Sequence, residues 1–159
     1  EQGLEGCGKD DRYVRECMFN PNDKNTNVFN QQSSIYKAIS NLAKFRNESN
    51  VLRFGRMFMR ETSSDGIHFQ MPDCEKCTLA FSRILYEQEI LFVFNSSASE
   101  AKQECVLVDS QLNRTCKWMK PVYGDKSNIE IMHSENPSNP VCYIKLYLKP
   151  MELVILKNY

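Results

Sequence analysis

No stretch of this chain is apolar enough to cross a bilayer: the longest unbroken run, Ile90 to Phe94, falls far short of the roughly 20 residues a spanning helix needs. No basic segment followed by an apolar one opens the chain, so any signal peptide is expected upstream or already removed. An excess of charge is lacking too, since 20 Lys and Arg offset 20 Asp and Glu. No global field then favours nucleic acid or an anionic membrane, and neither is expected as a partner. Imidazoles are scarce, with His68 and His133 the only two, and neither belongs to an HExxH spacing. A GxSxG elbow and a Gly-rich phosphate loop are absent as well. The lone Cys74-Glu-Lys-Cys77 pair has no second pair of ligands to complete a zinc site. Met71-Pro72-Asp73 before it reads as loop, not as the strand-to-helix turn that activates a redox pair. No metal, no cofactor and no catalytic residue is therefore expected from motifs.

What the chain does have is cysteine. Seven cysteines (Cys7, Cys17, Cys74, Cys77, Cys105, Cys116 and Cys142) are many for a 159-residue domain, and all are disulfide candidates. Three Asn-x-Ser/Thr sequons stand at Asn47, Asn95 and Asn113 as candidate glycosylation sites. Together they point to a secretory compartment and an extracellular destination. The odd count leaves one cysteine over, with Cys142 favoured as the one lacking a mate inside the chain. Cys7 and Cys17 are spaced to staple a loop. Cys105 and Cys116 are expected to bridge, because VLVDSQLNRT between them reads as a strand and a hairpin turn. Asn95 and Asn113 are expected in solvent-facing turns between strands, at least one of them glycosylated.

Two periodicities divide the chain. Residues 1–32 show almost no apolar pattern and are dense in Gly, Asn, Asp and Lys, which predicts a long loop. Ile35, Ile39, Leu42 and Ala43 then fall at helical spacing opposite Lys37, Ser40, Asn41 and Lys44. Ser33 or Ser34 can cap this helix, Arg46 suits its C-terminal pole, and it should end between Asn47 and Asn50. Its apolar stripe needs a cover, either its own strands, another polypeptide or a second copy of the chain. Val51 to Arg60 reads as an irregular segment and a short strand. From Thr78 the period becomes two: TLAFSRILY, EILFVFN, ECVLVD, TCKWMK, IEIMH, VCYIKLYL and ELVILK are short segments rich in β-branched and aromatic residues, parted by turn-forming clusters. Without intervening helices these seven strands must be mostly antiparallel. The expectation is a mainly β chain: a remnant of loop and helix over 1–60 and an antiparallel β-sandwich over 61–159.

The order of features also resembles a known family. Glu1-Gln2-Gly3-Leu4, Asp11-Arg12-Tyr13-Val14-Arg15-Glu16, Met18-Phe19, Ile35-Tyr36 through Leu42 and Arg46, and Leu52-Arg53-Phe54-Gly55-Arg56 resemble the end of the catalytic barrel in α-amylase-like enzymes of glycoside hydrolase family 13. Asp65-Gly66, His68-Phe69, Ala80-Phe81-Ser82-Arg83, Gln88-Glu89 and Asn95 continue the likeness into that family's β-rich domain C. The resemblance implies the last barrel loop and helix followed by domain C. The family's nucleophilic Asp, acid/base Glu and stabilising Asp belong to earlier strands, so none can be carried onto this sequence and the chain alone is expected to be non-catalytic. Asp11, Arg12, Arg15 and Glu16, in the loop that would edge the cleft, are candidates for sugar contact or for loop salt bridges. The expected role is the C-terminal portion of a secreted glycosidase that works with an upstream barrel chain on α-linked glucans. The alternative is an independent secreted glycoprotein module with a binding, storage or structural role.

Overall fold

The computed structural model describes residues 30–72, 78–134 and 140–159, which divide between Ser49 and Asn50 into two units. In the first, helix α1 spans Ser34–Glu48. Ser33 caps it, its Oγ accepting the backbone N–H of Tyr36 at 3.2 Å, which satisfies one of the otherwise unpartnered first-turn amides. Arg46 sits in the last turn, where a cation meets the negative pole of the helix, and the Ser49 N–H closes the end on the Arg46 carbonyl at 3.3 Å. None of the helix residues is buried, and Ile35 and Ile39 of the stripe are 45% and 42% exposed.

The second unit is an antiparallel β domain. A short helix, α2 (Asn50–Phe54), leads into β1 (Arg56–Met59) through Gly55, where a Cβ would collide with the Val51 carbonyl oxygen and stand 2.8 Å from that of Ile84. Only glycine permits that approach. The following strands are β2 (Thr62–Ser63), β3 (Thr78–Leu85), β4 (Gln88–Asn95), β5 (Lys102–Val108), β6 (Trp118–Tyr123), β7 (Ile129–His133), β8 (Cys142–Leu148) and β9 (Leu153–Asn158). They form one sheet in the order β1-β3-β4-β9-β6-β7-β8-β5-β2, every neighbouring pair antiparallel.

The seven predicted strands are all present, and β1 follows the predicted irregular segment, part of which is helical. The two-residue β2 has no period to announce it. Residues 50–60, grouped by the sequence with the preceding helix, fall in the β unit, where β1 pairs with β3 from Arg56↔Ile84 to Met59↔Phe81. The sheet curls so that its two halves bury one core: Ala80, Leu91, Val93, Val154 and Leu156 from one half meet Val106, Val108, Ile144, Leu146 and Leu148 from the other. Strand β8 alternates as a strand with one face in the core must, reading buried and open in turn from Cys142 to Leu148. A register shift between Pro121 and Tyr123 bends β6 where proline cannot donate to the ladder.

A polar network lies inside this domain. Glu89 on β4 has no exposed surface. Its Oε1 accepts from Arg60 Nη2 at 2.8 Å and from Ser82 Oγ at 2.5 Å, and its Oε2 accepts from Asn113 Nδ2 at 2.6 Å and from the Asp109 backbone N–H at 3.1 Å. Arg60 Nε also donates to Ser82 Oγ at 2.8 Å, and the Glu89 backbone N–H donates to Asn158 Oδ1 at 2.8 Å. Burying a carboxylate is costly unless it is paired and its lone pairs are filled, and here both conditions are met. Glu89→Ala strands the Arg60 guanidinium and the Asn113 amide, so it should lower the unfolding free energy by about 3–5 kcal/mol. Urea denaturation of the chain measures this, and a loss below about 1 kcal/mol would show the network to be marginal to stability.

Candidate functional site

The sequence nominated residues in three groups, and the structure separates them. Asp11, Arg12, Arg15 and Glu16, together with Cys7, Cys17, Cys74 and Cys77, lie outside the described residues. Asn47 is exposed in the last turn of α1. Asn95 and Asn113 are fully buried, which corrects the expectation that both face solvent. Asn95 is the last residue of β4 and not a turn residue, and its Nδ2 donates to the carbonyls of Glu100 at 2.8 Å and Lys149 at 3.0 Å. Asn113 does occupy a turn, but its amide points inward to Glu89.

The expected Cys105–Cys116 bridge is also corrected. Cys105, Cys116 and Cys142 are all free thiols. The segment between the first two is no hairpin, because the ladder neighbours of β5 are β8 and β2: Cys105 stands opposite Lys145 and Ser63, while Val108 stands opposite Cys142. The turn after β5 instead carries the chain to β6, which pairs with β7 and β9. Burial pushes the Cys105 and Cys142 thiols above their ordinary value, since a thiolate there would lose its hydration.

Among the described residues, three arrangements could hold chemistry. Cys142 Sγ lies 3.3 Å from His133 Nδ1, the spacing of a nucleophile and its base. The thiol is 3% exposed and held in its protonated form by burial, so this pair packs a core cysteine and activates nothing. Glu89 and Asp109 both approach Arg60, at 2.8 and 3.8 Å. Glu89 has no surface with which to meet a substrate, so these two carboxylates serve the fold. Third, a cleft of about 660 Å³ is lined by Glu61, Asp65, Phe69, His133 and Tyr143 among others, with the Phe69 and Tyr143 rings 5.5 Å apart and tilted by 56°. Asp65 shapes its rim: its carboxylate accepts from the Ile67 and His68 backbone N–H groups, the Ser63 hydroxyl and the His68 ring, 2.7 to 2.9 Å away. The His68 ring and then these other donors hold the Asp65 pKa well below the ordinary range. A pocket with two rings and a few polar groups accepts a small polar ligand in principle, but nothing in it converges as a reacting centre does.

The larger surface feature is the outer face of the β1-β3-β4-β9 half. Paired residues share a face, so Leu79, Phe94 and Leu153 form one row and Met59, Phe81, Phe92 and Ile155 the next. Phe81 and Phe92 stack with centroids 4.6 Å apart. Helix α2 buries Val51 and Leu52 and packs on β3 and β4, and Ile90 and Ile155 of this face are buried. The rest stays open: Leu79 is 44% exposed, Met59 41% and Met57 58%, with Phe54 of α2 at 64%. A cluster of large apolar side chains left in water marks an interaction surface more often than chance exposure does. No sequence motif announced it. The signal available was the unbroken apolar run Ile90 to Phe94, which supplies both faces of one strand.

Two measurements check these assignments. Alkylation of the denatured, unreduced chain should label Cys105, Cys116 and Cys142, and a linked Cys105–Cys116 peptide would refute the free-thiol assignment. Asp65, whose folded pKa is depressed, stabilises the 63–68 turn above the unfolded aspartate value of about 3.9, and that contribution is lost as pH falls through the folded value. The Ile67 and His68 amide resonances should thus keep their neutral-pH positions well below pH 3.9, the ordinary value of about 3.9 being where an unpartnered aspartate would already be half protonated.

No family model matches the chain, and no curated protein matches it. Among solved structures the chain is similar to the crystal structure of an alpha-amylase from H. orenii, at 18% identity and a TM-score of 0.49, over 99% of this chain and 27% of that one. The chain thus spans about a quarter of that protein's length. A likeness of that degree assigns neither a family nor an activity to this chain.

Proposed function

We propose that this chain is the C-terminal portion of a secreted α-amylase-like glycosidase, in which the β domain braces an upstream catalytic barrel and supplies no catalytic carboxylate itself. The observation that carries the reading is the open apolar face of Met57, Met59, Leu79 and their neighbours on a domain whose own core is already complete. Each large apolar side chain left wet forgoes about 1.5–3 kcal/mol relative to a buried one, so a surface of this kind is best explained by a protein partner. The order of sequence features that resembles the end of a family 13 barrel supports the barrel as that partner, with action on α-linked glucans proposed for the assembly. The exposed stripe of α1 is a second apolar surface suited to the same role. The completeness of the core favours a second reading, an independent secreted module with a binding, storage or structural role.

The test uses the whole chain with the catalytic-barrel polypeptide from the same source, expressed separately. The chain alone should release no reducing ends from starch, and mixing should give a sedimenting complex that does. Met59→Glu with Leu79→Glu, at exposed positions, should change stability by no more than about 1 kcal/mol yet weaken the complex about tenfold or more, or about 1.4 kcal/mol. Starch hydrolysis by the pure chain would overturn the reading, and a lone monomer indifferent to the barrel would favour the independent module.

A further inference from the structure

We infer that Asn47 is the glycan acceptor of this chain, and that the sequons at Asn95 and Asn113 are sequons in letters only, their amides committed to the interior. The inference rests on the secretory part of the proposed function. N-glycosylation joins the side-chain Nδ2 to C1 of a sugar, breaking the C1–O bond to a lipid-linked oligosaccharide pyrophosphate. The pyrophosphate leaves with the electron pair of that bond and the amide gives up one proton, with no change of oxidation state. An acceptor therefore needs an Nδ2 with a hydrogen to spare, and its folded product needs an open path from that nitrogen to water.

Asn113 offers neither. Its two Nδ2 hydrogens are used at once, toward Glu89 Oε2 at 2.6 Å and the Asp109 carbonyl at 2.8 Å, and the residue has no exposed surface. A sugar in place of either hydrogen would displace a donor from the buried carboxylate. Asn95 is as constrained: its Nδ2 ties the end of β4 to the carbonyls of Glu100 and Lys149, its Oδ1 accepts the Ser97 N–H at 3.1 Å, and it too has no exposed surface. Glycosylation acts on the emerging chain, so a glycan at either position would block the fold, and the folded population is the unmodified one.

Asn47 meets both requirements. It is exposed, and its sequon straddles the end of α1, with Asn47 in the last turn and Ser49 at the cap in extended backbone, φ −110° and ψ 113°. The chain there is leaving the helix, as an acceptor segment must. At 3.6 residues per turn Asn47 lies about 120° round the helix from Ile35 and about 80° from Ile39, so a glycan there flanks the apolar stripe.

The experiment expresses the full chain through a eukaryotic secretory pathway and maps sites by enzymatic deglycosylation in heavy-oxygen water. The Asn47 peptide should convert to Asp carrying the label, while Asn95 and Asn113 remain Asn. Asn47→Gln should return the chain to its polypeptide mass with its melting temperature unchanged. Asn113→Asp, which sets a second carboxylate against Glu89, should lower secretion or melting temperature. A glycan on Asn95 or Asn113 of secreted, folded chain, an unmodified Asn47, or an Asn113→Asp chain of undiminished stability would each overturn the inference. Failure here is read from site occupancy, whereas failure of the amylase reading is read from barrel association, so the two remain distinct.

Discussion

The buried carboxylate of Glu89 is the constraint to which the β domain answers. An ion held away from water must be met by donors from every side, and the sequence supplies them from distant places: Arg60 at the end of β1, Ser82 on β3, and Asp109 and Asn113 in the turn after β5. Those donors belong to both halves of the curled sheet. Hydrophobic packing alone would tolerate small slides of one half over the other, because apolar contact is not directional. A filled set of hydrogen bonds to one carboxylate does not, since a slide that breaks any of them leaves a buried charge underpaired. The network therefore acts as a register pin for the closure of the domain.

A second, milder pin lies at the other end of the same strand. Asn95 closes β4 against the turn between β8 and β9 through the Lys149 carbonyl, and Lys126 joins the same region by donating to Glu152 and to the Tyr147 carbonyl. Burial alone would raise the Glu152 pKa, but the Lys126 and Lys149 donors outweigh it and leave the carboxyl lowered. Both ends of β4 are thus tied by polar groups while its middle is apolar on both faces. The cysteines follow the same logic of burial. Cys142 is 3% exposed and belongs to the core with Val106, Val108 and Ile144, where a thiol serves as a small apolar group, while Cys105, as little exposed, lies on the other face of β5 beside Gly66.

Much of the fold was legible because period two is a strong signal when strands are long. The segments around Thr78 to Leu85 and Cys142 to Leu148 announce themselves by alternation, and Ser33 with Arg46 bracket α1 by capping and dipole chemistry. Strand β2 was not legible, as Thr62 and Ser63 are too few to show a period. The sequons were misread for a more instructive reason. Asn-Ser-Ser and Asn-Arg-Thr look like surface turns, and in most chains they would be. What draws Asn113 inward is the demand of Glu89, 24 residues away, for a donor, and no local pattern encodes a demand made at that distance. The Cys105 to Cys116 segment failed in the same way, since its hairpin appearance yielded to the pairing of β5 with β8, more than 30 residues on by the Cys105↔Lys145 match.

The middle of β4 links this interior to the proposed role. A strand with one face in a core and one in water alternates, whereas Ile90 to Phe94 is apolar at every position. Leu91 and Val93 enter the core, and Ile90 is buried on the opposite face, to which α2 adds a partial second layer. Phe92 and Phe94 are only half covered, beside an open Leu79 and an open edge strand of Met57, Phe58 and Met59. An edge strand with exposed large apolar residues invites pairing with stray chains unless something covers it. Arg56 and Arg60 at its two ends bring charge, but Arg60 is turned inward by Glu89, which leaves Arg56 alone to guard that edge. The same ion pair that fixes the closure of the domain thus removes a charge from its edge, and the barrel proposed as partner would serve the fold as well by covering β1, β3 and β4.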